Sequence, residues 1–145
     1  MSATRTVSTA RVATTSPRRR RLLTVGAAVA AAVVIWSVAE VAGMHLRQPA
    51  SGSGTAAALN VGFVIAVSAL AALAGWALLA VLERFTAHAR AIWTTVAVVF
   101  LLLSLGGPFS GHGVSTGNRL VLGLIHLTVG AIVIIGLPRA LDSAR

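Results

Sequence analysis

Cysteine is missing from the chain, which excludes disulfides, thiolate metal sites and cysteine nucleophiles. Acidic residues are scarce: Glu40, Glu83 and Asp142 are the three among 145 residues. With aspartate confined to Asp142, near the end, no hydrolase or transferase constellation is visible. Lysine is absent, so all 12 basic residues are arginine, and with abundant Ala, Val and Gly this points to a GC-rich bacterial genome. Charge is thin overall, at 10% of residues, where a soluble domain carries roughly a quarter. The glycines between 106 and 117 lack the following lysine and the strand-to-helix setting of a phosphate loop. The expectation is a chain that is no enzyme and takes no cofactor or metal.

Apolar sequence is abundant: 57% of residues are hydrophobic and the mean hydropathy is +0.89. It falls into runs at 22–44, 56–82, 91–106 and 120–137, and about 20 residues of helix cross a bilayer. The third run is short and reaches across with its flanks, by tilting or by local thinning. Short connections make consecutive helices antiparallel neighbours. The fold class that follows is an all-α membrane protein, four transmembrane helices in an antiparallel up-down bundle spanning 22–139. Residues 1–21 are polar and Arg-rich and read as a disordered tail, and 140–145 as a stub. A cleavable secretion signal ending at Ser37-Val38-Ala39 is the rival reading of the first run. The run continues past Ala39 to transmembrane length and further apolar runs follow, so it reads as retained.

The net charge of +9 is an orientation signal rather than a nucleic-acid groove. With both termini on one side, Arg5, Arg11, Arg18, Arg19, Arg20, Arg21, Arg84, Arg90, Arg139 and Arg145 share it, leaving Arg47 and Arg119 opposite. The arginine-rich side is the cytoplasmic one, which predicts a multi-pass protein of the bacterial inner (cell) membrane. Arg18, Arg19, Arg20 and Arg21 are placed to meet anionic headgroups, at about 1 kcal/mol each. The expected partners are the lipid bilayer and a second membrane protein or further copies of the chain.

In lipid, helices associate through small residues rather than by the hydrophobic effect. The second run offers Ser68, Ala71, Ala72 and Gly75, the third Thr94, Ala97 and Ser104, and the fourth Gly123 and Gly130 with His126 between. Intramembrane ionisable groups are functional candidates, and Glu40 and His126 are the two, both in the outer half. Asn60 and Ser104 complete a candidate polar cluster at that depth. Two readings stand: a proton- or cation-binding site, or a snorkelling Glu40 beside a His126 that bonds across helices. His45, His112 and His126 have no metal-ligand spacing. Trp93 is expected at the cytoplasmic interface, and the deeper Trp36 and Trp76 between helices. Glu83, Arg84 and Arg90 read as the solvated cap of a cytoplasmic hairpin.

The segments GWALLAVLERFTAHARAIWTT, LLLSLGGP and LIHLTVGAIVIIGLPR together resemble an uncharacterised family of small four-helix membrane proteins from actinobacteria. The features that carry the resemblance are Gly75, Trp76, Glu83, Arg84, Trp93, Ser104, Pro108, His126 and Pro138, and it covers about residues 20–139. It implies the four-helix architecture and no particular activity. Small multidrug-resistance exporters are also four-helix proteins with a glutamate in the first helix, but theirs lies deep, whereas Glu40 stands near one surface. The expected function is an accessory or organising membrane subunit, with a small proton-coupled transporter using Glu40 and His126 as the alternative.

Overall fold

A computed structural model describes residues 16–50, 54–110 and 112–142. The expected disordered tail over 1–15, positions 51–53 and 111, and the end of the stub at 143–145 lie outside the described residues. Its four helices are α1 (Pro17–Val41), α2 (Val61–Phe85), α3 (Ala89–Ser110) and α4 (Thr116–Asp142), all long and apolar enough to cross a membrane. The shortest, with 22 residues, measures about 33 Å at 1.5 Å per residue, enough for a hydrocarbon core of about 30 Å.

Several boundaries differ from the sequence expectation, each for a local reason. Residues 16–21 are not tail: the Ser16 hydroxyl accepts from Arg19 N–H, and Pro17 fills the first helical position, where its missing N–H is harmless. α1 stops at Gly43, whose φ of 78° allows a left-handed turn with Gly43 N–H on Glu40 O and Met44 N–H on Ala39 O. α2 begins later than residue 56 because residues up to Leu59 are drawn into a small ribbon, and Asn60 caps the helix. The third and fourth apolar runs end at 106 and 137, just ahead of Pro108 and Pro138. Both prolines instead lie inside helices and are buried. Each removes one N–H near a helix end, a loss that membrane helices tolerate where neighbouring groups satisfy the freed backbone. At the end of α3 the Phe109 carbonyl accepts from the Arg119 guanidinium, and Ser110 donates to Gly106 O.

Side-chain meetings fix the direction of each helix. Arg21 meets Glu83, Gly75 meets Trp93, Gly123 meets Phe109, and Gly136 meets Thr24, so starts lie against ends and every neighbouring pair is antiparallel. α1 packs most extensively on α4, and the ring closes through α2 and α3, with α2 and α4 also touching across it. The end carrying residue 17 and residue 142 is here called the terminal end, and the opposite one the loop end.

The core is built on small residues, as expected where close approach replaces the hydrophobic effect. One cluster, toward the terminal end, joins Ala28, Ala72, Leu79, Trp93, Val133 and Leu137; the other joins Ala32, Val64 and Ile125. Trp76 and Trp36 pack against these clusters. Ser68 lies on the buried face of α2, but Ala71, assigned to the same face, is exposed. A side chain at Gly130 would come within 2.6 Å of Leu101, and one at Gly136 within 2.5 Å of Thr24. Large apolar side chains such as Leu70, Phe100 and Leu103 point outward, the arrangement of a bundle solvated by lipid. At the loop end, β1 (Arg47–Gln48) pairs antiparallel with β2 (Ala57–Ala58), and Ala50 pairs with His112 from the next loop.

Candidate functional site

Polar side chains gather at both ends of the bundle. At the loop end, the left-handed turn at Gly43 folds residues 45 and 46 back over the last turn of α1, where Glu40 stands. One Glu40 carboxylate oxygen accepts from Leu46 N–H at 2.9 Å, and the other lies 3.1 Å from His45 Nδ1. Leu46 is buried, while the His45 side chain is 87% exposed. Glu40 therefore uses its carboxylate to fasten the turn that follows its own helix.

The other three members of the sequence-derived cluster are also engaged locally. His126 Nδ1 donates to Leu122 O, one turn earlier, at 2.8 Å, since a carbonyl can only accept. Asn60 Oδ1 accepts from Phe63 N–H at 2.9 Å, and the Ser104 hydroxyl donates to Leu101 O at 2.7 Å. Among the described residues, no hydrogen bond joins any two of Glu40, His126, Asn60 and Ser104. Among those residues there is also no group of three or more metal-ligating side chains.

Sequence reasoning missed Asn118. It stands in the first turn of α4, after Ser115, whose hydroxyl accepts from Asn118 N–H. The buried amide accepts from Arg47 N–H at 2.7 Å and donates to Arg47 O at 2.8 Å. It thereby supplies both bonds that a neighbouring strand residue would give. The Arg47 guanidinium donates to Ala56 O, closing the ribbon from the side. A cleft of about 420 Å³ lies between this turn and the start of α4, lined by Met44, His45, Arg47, Val114 and Ser115.

At the terminal end, Arg21 lies on the same buried stripe of α1 as Ala28, Ala32 and Ala39. Its guanidinium meets the Glu83 carboxylate at 2.5 Å, and its Nε has no partner among the described residues. Glu83 was expected on a solvated cap with Arg84 and Arg90; Arg84 and Arg90 are exposed, but Glu83 instead joins α2 to α1 and keeps 25% of its side chain exposed. A signal for this pair existed, because the start of α1 and the end of α2 share one side, so a base and an acid there lie at equal depth. Arg21 accordingly leaves the set of four arginines expected to face headgroups.

Trp93 also departs from expectation. It was placed at the interface, yet it is only 1% exposed, and its indole N–H donates to Gly75 O at 2.8 Å. The absence of a side chain at Gly75 opens that carbonyl to α3, satisfying the indole inside the bundle. A second, shallower cleft of about 590 Å³ runs over the start of α3, past His88, Arg90, Thr94 and Thr95.

No match to the chain was found among curated proteins or among solved structures. A family model does match, over residues 12–143, and so takes in all four helices, the ribbon and both polar ends. The chain belongs to the family of unknown function DUF6069.

Proposed function

We propose that the protein is a non-enzymatic accessory or organising subunit of the bacterial cell membrane, with both termini in the cytoplasm. The observation that carries this reading is the engagement of Glu40. Its two oxygens fasten the surface turn at Leu46 and His45 rather than facing His126 between the helices. A transporting carboxylate has to change partners during the cycle, whereas this one sits where a structural tie is needed. The cytoplasmic assignment of the terminal end is supported by the gathering of arginines there, seven among the described residues against Arg47 and Arg119. Its partners on this reading are the bilayer and another membrane protein, and nucleic acid is not among them.

Native mass spectrometry of the protein, gently extracted from its own membrane, tests the proposal. The expected result is a stoichiometric complex with a subunit of different sequence. A homo-oligomer with no foreign subunit, conducting protons in vesicles and silenced by Glu40→Gln, would replace this reading with that of a small proton-coupled transporter. A monomer with neither partner nor flux would also overturn it.

A further inference from the structure

The two ends of the bundle treat their arginines differently. At the loop end, the Arg47 and Arg119 side chains are each held by a backbone carbonyl, Ala56 O and Phe109 O. At the terminal end, the exposed side chains of Arg18, Arg19, Arg84 and Arg139 make no hydrogen bond or ion pair among the described residues. Glu83, the acid closest to them in α2, is engaged by Arg21.

Packing puts these cations from three helices at one end of the bundle. The Arg21–Glu83 contact puts the end of α2, with Arg84, level with the first turns of α1, and the seating of Gly136 on Thr24 puts the end of α4, with Arg139, at that same end. Immediately deeper, Leu22 and Leu23 on α1 and Val81 on α2 are exposed, as is Phe85 beside Arg84. Unpaired guanidiniums thus stand at the edge of an exposed apolar belt. We propose that Arg18, Arg19, Arg84 and Arg139 form a binding surface for anionic phospholipids, with the phosphates on the guanidiniums and the acyl chains along the apolar side chains beneath.

The chemistry favours a lipid over a soluble anion or an acidic protein. A guanidinium grips a phosphate with two parallel hydrogen bonds, and a lipid, unlike a soluble anion or a soluble acidic protein, also covers the apolar surface next to it. This surface requires the bundle to span a membrane and is independent of the accessory role proposed above.

The full-length protein in nanodiscs of equimolar phosphatidylglycerol and phosphatidylcholine tests the assignment, with retained lipids counted by native mass spectrometry after gentle release. The expected result is a several-fold excess of retained phosphatidylglycerol. That excess should fall to parity in the R18Q/R19Q/R84Q/R139Q variant and persist in R47Q/R119Q. Parity in the native protein, or an excess that survives the four substitutions, overturns the proposal. Should the fourfold variant fail to fold, the native protein still decides. Raising salt to about 0.5 M shortens the screening length to roughly 4 Å and must shrink the excess; a preference indifferent to salt overturns the proposal as well.

Discussion

Replacing Glu83 by alanine leaves Arg21 buried on the inner stripe of α1 with no counter-charge. Arg21 is only 8% exposed, too enclosed for its guanidinium to reach water without disturbing the α1–α2 seam. Removing one partner of a buried pair costs about 3–5 kcal/mol, against about 0–1 for an exposed one. The partial exposure of Glu83 puts the expected loss near the lower limit, about 3 kcal/mol. The double variant Arg21→Met, Glu83→Leu should behave oppositely. It removes both charges and the partnerless Nε, a buried unmade bond of about 1–3 kcal/mol, so its stability should equal or exceed that of the native chain. Unfolding in mixed micelles of rising dodecyl sulfate fraction, followed by tryptophan fluorescence, measures both, because Trp76 and Trp93 belong to the terminal-end core. A loss below about 1 kcal/mol for Glu83→Ala would place the pair in the exposed class. A double variant as unstable as the single one would refute the reasoning outright.

Further outcomes are expected from other contacts. Trp93→Phe should cost about 1 kcal/mol, for one hydrogen bond to Gly75 O, read by the same unfolding assay. Gly136→Ala should destabilise by about 1–3 kcal/mol through its collision with Thr24. Gly106→Ala, where a side chain meets nothing within 4 Å, should instead stabilise by up to about 1 kcal/mol through helix propensity. Asn118→Ala removes both side-chain partners of the Arg47 backbone, and faster amide exchange at Arg47 should report it while helix amides stay protected. The absence of cysteine makes orientation directly measurable: in intact cells Ser16→Cys should resist an impermeant maleimide, and Gln48→Cys should react.

Depth was legible in the sequence, while direction around each helix was much less so. The hydropathy runs locate four spans, and the arginine counts separate the two ends, because both depend on position along the membrane normal. Whether Glu40 and His126 face each other depends on helix rotation and on local competitors for their hydrogen bonds. Leu46 N–H and Leu122 O, a few residues away along the chain, take them. Proline and glycine rules misplaced the ends of α3 and α4, because a helix continuing through Pro108 or Pro138 loses one bond but keeps its packing. Asn118 gave no signal, since an asparagine near a helix start is commonplace and its partner lies 71 residues away. Trp93 was misplaced because indole N–H groups usually seek the interface, and the vacant side chain of Gly75 offered a carbonyl inside the bundle.

The partnership of Arg47 with Asn118 also bears on the order of assembly. During insertion, α1 enters first and its most extensive neighbour, α4, enters last. The ribbon between α1 and α2 reaches the membrane surface with the inward N–H and C=O of Arg47 unmatched, and they remain so until the final helix brings Asn118. Arrival of α4 therefore completes two unfinished features together: the groove at Thr24 and the ribbon edge at Arg47. A chain interrupted after α3 would keep the Arg21–Glu83 tie at one end while leaving the other end unfastened. Both ends are completed only by the last helix, and the loop-end cap marks a chain whose four helices are all in place.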